Sequence, residues 1–175
     1  MRPVVDEHIR KTSLESVRTA PDEAPEASEP GWIDMDVRWL VTRETVGAEQ
    51  SVFGVTYFPP GSRHEVHRHP HAEEVEYLIA GEGVARVGDD DVAMAAGDAV
   101  FVPRDDYHGF RNTSDTETAV MVWSYHGAAS LSEAGYIPAD PERASSAGAP
   151  RSSPAERVAS AAGSSRRSRA RAPTW

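Results

Sequence analysis

Cysteine is absent from the 175-residue chain, and this absence limits the chemistry that the protein can perform. Without thiols the chain has no disulfide bonds, no thiolate ligands for a metal and no cysteine nucleophile. Any metal site must therefore use histidine, aspartate or glutamate. These side chains are common ligands of iron, manganese, nickel and zinc.

Long apolar runs are also missing, since no stretch approaches the roughly 18 residues of a membrane-spanning helix. Residues 1–16 lack the apolar centre of a signal peptide, so we expect a cytoplasmic protein without a membrane partner. Basic residues number 18 against 28 acidic ones, and the net charge of −10 argues against general nucleic-acid binding. The sequences G-x-S-x-G and H-E-x-x-H do not occur, which excludes two common hydrolase motifs.

Composition divides the chain into three parts. Residues 1–30 end in PDEAPEASEP, whose density of proline and acid predicts a linker or loosely attached arm. Residues 31–141 carry most of the acids and are long enough for one domain with its own core. Residues 142–175 are rich in alanine, serine and arginine, which predicts a disordered tail. The alternative for this tail is a basic patch that contacts nucleic acid or a membrane surface.

Short β-like runs follow one another from residue 37 to residue 125. The predicted strands are Val37–Thr42, Ser51–Phe58, His64–His69, Glu74–Ile79, Val84–Val87, Val92–Ala95, Ala99–Val102, His108–Asn112 and Thr118–Tyr125. Turn residues separate them and no helical periodicity runs through the region, so the pattern predicts an all-β sandwich or barrel. A short helical turn is expected within residues 128–141, capped by Ser130 or Ser132 and ended by Gly135.

One window, residues 61–81, concentrates groups that bind metals. It contains four histidines and four acids: His64, His67, His69, His71, Glu65, Glu73, Glu74 and Glu76. Because successive side chains of a strand alternate between faces, His67 and His69 point the same way. A carboxylate a few residues later can join these two imidazoles around one ion.

Two patterns in this part of the chain resemble the two motifs of the cupin superfamily. The first motif, G-x5-H-x-H-x4-E-x6-G, is matched by Gly61, His67, His69, Glu74 and Gly81. The second, G-x5-P-x-G-x2-H-x3-N, is matched by Gly97, Pro103, His108 and Asn112. Asp105 stands where that motif has its inner glycine. Because aspartate also favours turns, this departure concerns the geometry of the turn and not the metal site.

The resemblance implies a double-stranded β-helix, the small jelly-roll barrel of cupins, with flexible N- and C-terminal segments. It also implies that a divalent ion (Fe, Mn, Ni or Zn) is held inside by His67, His69, Glu74 and His108. Cupins are commonly dimers, so a homodimer is expected. The out-of-register His64 and His71 are expected at the surface or in hydrogen bonds. A slip of one residue would make Glu73 the ligand in place of Glu74.

Glu76 is a candidate catalytic acid or base. Alternation places Glu76 and Leu78 on the same face as Glu74, and it places three apolar side chains on the opposite face: Val75, Tyr77 and Ile79. Burial inside an apolar barrel would raise the pKa of Glu76 toward the range that acid–base catalysis uses. In the alternative, a bulge after Glu74 turns Glu76 out to solvent.

The side chains that line the pocket are undecided in two strands. In the strand Ser51–Phe58, the inward side chains are either Phe53, Val55 and Tyr57 or Val52, Gly54 and Thr56. In the last strand, Thr118–Tyr125, the inward side chains are either Met121, Trp123 and Tyr125 or Val120, Val122 and Ser124. From His108, alternation directs Phe110 and Asn112 inward and Arg111 away. We expect Asn112 to fix a turn and not to contact substrate.

These expectations favour a metal-dependent enzyme that acts on a small organic metabolite. Four protein ligands on an ion that accepts six leave two positions, enough for a substrate and oxygen together, so a dioxygenase is favoured. The alternatives are a cupin isomerase, lyase or decarboxylase, or a non-catalytic cupin that binds a metabolite or sugar. A further alternative is an ion that only stabilises a dimer. The sequence selects neither the substrate nor the metal.

Overall fold

The computed structural model of the protein describes residues 11–14 and 31–142. Most of the predicted N-terminal arm and nearly all of the predicted tail therefore lie outside the described residues. Within the described part, short antiparallel strands form two sheets that face each other, which confirms the predicted all-β class. None of the helices in that part has the length and apolar content that a bilayer crossing needs.

The described elements begin at Trp32 and end at Pro138. The strands are β1 (Trp32–Ile33), β2 (Asp36–Val41), β3 (Ser51–Phe58), β4 (Arg63–Arg68), β5 (Glu73–Ala80), β6 (Glu82–Val87), β7 (Asp90–Ala95), β8 (Ala99–Val102), β9 (His108–Asn112), β10 (Ala119–His126) and β11 (Ile137–Pro138). The two helices are α1 (Arg43–Val46) and α2 (Leu131–Ala134). Nine of the strands coincide with the predicted ones to within two residues at each end.

The two sheets divide the strands between them. Sheet A has the order β1-β4-β9-β6-β7. Strand β1 pairs with the start of β4, and β11 pairs with its end. Sheet B has the order β2-β3-β10-β5-β8. Every pairing is antiparallel, so each strand can bury one face against the other sheet and present the other face outward. The core lies between the sheets, as apolar side chains from both meet there.

The structure decides which faces of β3 and β10 point inward. On β10 the buried side chains are Met121, Trp123 and Tyr125. On β3 the inward set is Val52, Gly54 and Thr56. Gly54 must be a glycine because the ring of Trp123 occupies the space that a Cβ would need. The indole Nε1–H of Trp123 donates to Thr56 Oγ1 at 2.8 Å, so this buried polar pair is satisfied.

The helical turn predicted near the end of the domain is confirmed as α2. Ser130 caps it, because its hydroxyl accepts a hydrogen bond from the backbone N–H of Glu133 at 3.2 Å. Gly135 ends it with φ of 76°, and its N–H donates to the carbonyl of Leu131 at 2.9 Å. This stop carries the chain back toward β4, where Ile137 pairs with Arg68.

Asn112 fixes a turn, as the sequence predicts. Its Nδ2 donates to the carbonyls of Phe58 at 2.8 Å and Glu117 at 2.7 Å, and its Oδ1 accepts from the N–H of Ser114 at 2.9 Å. Asn112 therefore joins the end of β3 to the loop between β9 and β10. Both amide atoms of Asn112 are used in these hydrogen bonds, so its role is structural.

Asp105 adopts the backbone conformation that the missing glycine would have. Its φ is 67°, in the left-handed region that asparagine and aspartate tolerate better than most residues. Its N–H donates to the carbonyl of His69 at 3.0 Å, and its carboxylate pairs with Arg68. The turn therefore accommodates aspartate at this position.

Replacing Asp105 separates these two contributions. Asp105→Ala is expected to lower the free energy of unfolding by about 1–2 kcal/mol, because alanine is strained at positive φ and the ion pair is lost. Asp105→Gly loses the same ion pair but relieves the strain, so a change below about 1 kcal/mol is expected. Urea denaturation of both variants measures the difference. Equal losses in the two variants would show that backbone strain contributes nothing here.

Candidate metal centre

Four side chains converge at one end of the barrel interior. They are His67 on β4, His69 just after it, Glu74 on β5 and His108 at the start of β9. One potential ligand atom from each lies within 4.8 Å of those from the other three. All four are buried, with at most 6 % of any residue exposed. The structure therefore brings together the four residues that the sequence motifs select.

The two sheets hold this cluster from opposite sides. His67 and His108 are direct partners across β4 and β9 of sheet A. Glu74 comes from β5 of sheet B, where it faces Tyr125 of β10. An ion held by these groups would bridge the two sheets, so its geometry depends on how the sheets pack.

Each histidine is oriented by a hydrogen bond from its outer ring nitrogen. The acceptors are backbone carbonyls: Glu65 O for His67 at 2.8 Å, Asp106 O for His108 at 3.0 Å, and Gly135 O for His69. A carbonyl can only accept, so each Nδ1 carries a hydrogen and each Nε2 points into the cluster. Such outer partners are what fixes the tautomer and ring orientation of metal-binding histidines.

Whether the site fits a metal depends on the Nε2 atoms that point into the cluster. Nε2 of His67 and Nε2 of His69 are buried and have no hydrogen-bond partner among the described residues. Oε2 of Glu74 lies 2.8 Å from Nε2 of His108 and 3.6 Å from Nε2 of His69. Burying unpaired nitrogens is costly, and a divalent cation would satisfy them. Three imidazoles and one carboxylate fit Fe, Mn, Ni or Zn, and this donor set does not choose among them.

The ionisation of the histidines suits coordination. Burial lowers the pKa of His67, and nearby His64 lowers it further. Burial also lowers the pKa of His69, although the Glu74 carboxylate acts in the opposite direction. For His108 burial is outweighed by the Glu74 carboxylate, which raises the pKa to about 9. Without an ion, the His108 proton bridges to Glu74, so metal binding is coupled to release of that proton.

Glu76 lies beside the cluster as a second inward carboxyl. The register of β5 with β10 runs without interruption from Glu73 to Leu78, so the bulge that would have turned Glu76 outward is excluded. Burial, followed by repulsion from Glu74, raises the pKa of Glu76 to about 8. Its Oε2 is buried without a hydrogen-bond partner in the described part of the chain. Glu73 is exposed on the opposite face, so the one-residue slip did not occur.

The raised pKa of Glu76 makes a prediction about stability. The folded pKa is about 8 against an ordinary 4.5, so the folded state binds this proton more tightly than the unfolded chain. Glu76 therefore contributes stability that is complete below about pH 4.5 and is lost as the pH rises to about 8. Glu76→Gln cannot ionise. With chelator present, the free energy of unfolding of Glu76→Gln is expected to gain on the order of 4 kcal/mol relative to the native protein over this range.

Urea unfolding at a series of pH values, on both proteins, measures this difference. Because the Glu76 carboxylate also raises the pKa of His108, the difference between the two proteins reports the coupled titration of Glu76 and His108. An advantage that stays constant from about pH 4.5 to about pH 8 would mean that Glu76 ionises as freely as in the unfolded chain.

The cavity next to the cluster is small and mostly aromatic. Its volume is about 20 Å³, which is room for about one water molecule. Glu74 and Glu76 are its acidic groups. The other side chains around it are Trp32, Met35, Val37, Trp39, Thr56, Phe58, His64, Phe110, Met121, Trp123 and Tyr125. Phe110 faces inward as predicted, and half-buried Arg111 points away from the cavity and pairs with the buried Asp91.

Two neighbours of the cluster were not assigned to it from the sequence. The ring of His64 stacks on His67 with centroids 3.9 Å apart, and Tyr136 stacks on the same ring at 4.6 Å. The Tyr136 hydroxyl lies 3.3 Å from His64 Nε2. His64 and His67 share the interior because the register of β4 shifts between them. A regular strand would put residues three apart on opposite faces, so no sequence pattern could have shown this. The exposed His71 is outside the cluster.

Comparisons with known proteins agree with this architecture. Residues 54–125 match the family model described as the cupin domain. The tetracenomycin polyketide synthase protein TcmJ of Streptomyces glaucescens is 31% identical over 104 residues, which cover 59% of this chain and 69% of TcmJ. The oxalate-binding protein of Thermotoga maritima is 30% identical over 84 residues, covering 48% and 69%. The chain therefore belongs to the cupin superfamily.

Other similarities cover different shares of the chain. Protein SchB of Streptomyces halstedii is 37% identical over 86 residues, which are 49% of this chain and only 62% of SchB. Among solved structures, the polyketide cyclase RemF of Streptomyces resistomycificus superposes with a TM-score of 0.58 at 19% identity. That match covers 75% of this chain and 86% of RemF, and it shows a shared fold. Together with the two facing sheets, it confirms the cupin double-stranded β-helix.

Proposed function

We propose that the protein is a metal-dependent cupin enzyme that moves protons next to the carbonyl groups of a small, oxygen-rich metabolite of the polyketide type. One observation carries this proposal: Glu76 is a buried carboxyl whose Oε2 has no hydrogen-bond partner within residues 11–14 and 31–142, and it faces the same cavity as Glu74. A structural carboxylate in such a place would be expected to have hydrogen-bond partners. A group that exchanges protons with a substrate must keep an oxygen available.

The chemistry follows from the ligands and from Glu76. When held by His67, His69, Glu74 and His108, a divalent ion supplies positive charge that polarises a carbonyl oxygen and makes the adjacent C–H more acidic. Without an ion, burial and repulsion from Glu74 raise the pKa of Glu76 to about 8, and the positive charge of a bound ion would lower it from there, so the carboxyl can both accept and return a proton. Its carboxylate form accepts a proton from the carbon beside the carbonyl. Its protonated form returns a proton to carbon or oxygen, as a ring closure or dehydration requires.

The walls of the cavity favour a flat, partly apolar substrate. Trp39, Trp123 and Tyr125 form one aromatic group with ring centroids 4.9 to 6.3 Å apart. Because the cavity holds about one water, a substrate must displace side chains as it enters. Met35 and Met121 border the cavity, and methionine is the apolar side chain that repacks most easily.

The substrate class is supported by a relative. TcmJ, at 31% identity, is named as a protein of a polyketide synthase system, and polyketide chains carry many carbonyl groups near acidic C–H bonds. The oxalate-binding protein, at 30% identity, is named for a small ligand with adjacent oxygens. Both names are consistent with a site that receives carbonyl or carboxylate oxygens beside the metal ligands.

Solvent deuterium exchange tests the proposed function. The purified protein is incubated in deuterium oxide with a panel of ketones and β-hydroxy ketones, and NMR follows deuterium at the carbon beside the carbonyl. We expect exchange at least ~10-fold above background, lost with chelator and restored by one of the four divalent metals. Metal-loaded protein that neither exchanges nor converts any probe would contradict the proposal.

A dioxygenase is the second candidate, and the donor set favours it. Four protein ligands leave two of six positions, which is the arrangement that a reaction with oxygen and substrate needs. Oxygen consumption that scales with bound iron, without deuterium exchange, would favour this reaction. Tight binding of a metabolite or sugar without either activity would favour a non-catalytic cupin.

A further inference from the structure

A second cavity lies on the outer face of sheet A, and none of the four candidate ligands borders it. Its volume is about 160 Å³, against about 20 Å³ for the cavity beside the cluster. Strands β4, β6 and β9 surround it, and three arginines are among the described residues that line it. We call it the outer cavity and define it by five of those residues: Arg63, Glu65, Arg86, Gly109 and Arg111.

Strand alternation brings the three arginines to the same face. Ala85 of β6 and Phe110 of β9 belong to the core, so the residues that follow them, Arg86 and Arg111, point outward. Arg63 of β4 is the direct cross-strand partner of Arg111. Because β9 lies between β4 and β6 in sheet A, three neighbouring strands present three guanidinium groups around one cavity.

Gly109 keeps the space beside Arg86 open. The two residues are cross-strand partners, so a side chain at position 109 would stand next to the buried guanidinium. The shifted register of β4 excludes such a side chain, because a Cβ at position 109 would lie 2.8 Å from the carbonyl oxygen of His64 and 3.2 Å from that of Glu65. Glycine is therefore required at this point, and β9 contributes only backbone there.

The charge around the outer cavity is opposite to that of the whole chain. The chain has 28 acidic residues, 18 basic ones and a net charge of −10. Around the outer cavity, three arginines face a single acid, Glu65, within the part of the chain that the structure describes. Arg63 and Arg111 are also directly opposite each other, and like charges in that position destabilise an antiparallel pair. A bound anion would remove this repulsion.

Two of the acids near these arginines are screened by water. Glu65 pairs with Arg63 at 2.9 Å, but the two side chains are 42 % and 46 % exposed. Asp89 is 3.8 Å from Arg86 and is itself 83 % exposed. Exposed ion pairs of this kind contribute little and are easily exchanged for another partner. Neither acid therefore prevents an anion from binding to the arginines.

The third acid, Asp91 of β7, is buried and is shared between two arginines. Its Oδ2 accepts hydrogen bonds from both terminal nitrogens of Arg111 at 3.2 Å, and its Oδ1 lies 3.6 Å from Nη1 of Arg86. Asp91 does not line the outer cavity but supports two of its arginines from the neighbouring strand. One buried carboxylate cannot neutralise two guanidinium groups, so positive charge remains on the side of the cavity.

We propose that the outer cavity binds an oxyanion, the carboxylate or phosphate group of a small metabolite. Guanidinium groups donate paired hydrogen bonds that match both kinds of oxyanion. Arg86 is buried and its Nε–H donates to the carbonyl of Gly88 at 2.9 Å, so it forms a fixed base for the site. Exposed Arg63 and half-buried Arg111 hold the anion from the two neighbouring strands. The volume corresponds to about five water molecules, which suits a small acid.

Isothermal titration calorimetry on the full chain tests the proposal. The probes are inorganic phosphate and malonate, in a low-salt buffer that contains neither phosphate nor carboxylate, and neutral malonamide is the control. At least one of the two anions is expected to bind with a dissociation constant of ~1 mM or below, and malonamide is expected not to bind. A preference between the anions identifies the group that the site takes. Failure of both anions to bind would overturn the proposal.

Arginine substitutions locate the bound anion. Arg63→Gln and Arg111→Gln are each expected to weaken binding at least ~10-fold, because each removes charge-assisted hydrogen bonds. Arg43→Gln is the matched control, since it removes the same charge from the exposed ion pair with Glu133, outside the cavity, and should leave the affinity unchanged. Circular dichroism checks that each variant is folded. An equal loss in Arg43→Gln would show attraction to the protein as a whole and would overturn the proposal.

Glu65→Gln gives an effect of opposite sign. It removes the negative charge that competes for Arg63, so binding is expected to become several-fold tighter. A purely structural role of the arginines predicts no gain in affinity from this change. Weaker or unchanged binding in a folded Glu65→Gln protein would contradict the proposed position of the anion.

Removing the metal separates this site from the candidate metal centre. The titration is repeated on protein that has been treated with chelator and then desalted, because a chelator is itself an anion. Binding is expected to persist, since none of the four candidate ligands lines the outer cavity. Binding that is lost with the metal and restored by it would assign the anion to the metal centre. That result would overturn this proposal and leave the proposed function intact.

Discussion

Replacing His67 with alanine is expected to abolish stoichiometric metal binding. The bound metal should fall from about one ion per chain to less than about a tenth, because one of only four ligands is removed. Loss of a partner outside the ligand set typically costs 10–100-fold in metal affinity, and loss of a ligand is expected to cost more. His67 is 1 % exposed and its Nε2 has no hydrogen-bond partner among the described residues, so a metal ion is the partner that this nitrogen is placed to bind.

Elemental analysis of the freshly purified protein measures this effect, and the chain offers a close control. His71 lies four residues away, is exposed, and is outside the cluster, so His71→Ala should retain the native metal content. Circular dichroism distinguishes loss of the site from loss of the fold. Full metal content in a folded His67→Ala protein would refute the proposed ligand set.

Replacing Glu76 with glutamine is expected to lower turnover by ~10²–10⁴-fold while the bound metal is retained. Glutamine has nearly the same shape as glutamate but cannot exchange a proton near neutral pH. The candidate ligands Glu74 and His108 are left in place, so the site itself should survive. Solvent deuterium exchange into the ketone probes and elemental analysis are measured on the same preparation.

The neighbouring residue supplies the control for this substitution. Glu73→Gln makes the same substitution on the exposed face of the same strand and is expected to leave the exchange rate unchanged. Oxygen consumption that persists in Glu76→Gln would point to the dioxygenase reaction. If Glu76→Gln and Glu73→Gln had equal, small effects on exchange, Glu76 would have no role as acid or base.

Local features of the sequence were sufficient for most of the fold. Turn residues such as Gly97 and Gly135, together with alternating apolar positions, placed the nine main strands and the short helix α2. Three short elements were missed: β1, β11 and α1. Each has only two to four residues, too few to show a period. Their positions depend on partners far along the chain, such as β4 for both β1 and β11.

The candidate ligands were also readable from the sequence, because His67, His69, Glu74 and His108 recur at the spacing of known motifs. Strand alternation made an inward Glu76 one of two possibilities, and the uninterrupted register of β5 with β10 decided between them. The tertiary structure decided what alternation could not. It selected the inward faces of β3 and β10, where the ring of Trp123 requires Gly54 beneath it.

The sequence by itself determined the all-β class, through turn residues and strand alternation, and its match to the cupin motifs selected the four residues of the cluster. Only the tertiary structure placed His64 and Tyr136 on the ring of His67, set the cavity at about 20 Å³ and left Phe101 exposed on sheet B. These features arise where separate strands meet, through a register shift, a returning chain end and the packing of two sheets. Their physical cause is contact between distant residues, which spacing along the chain does not encode.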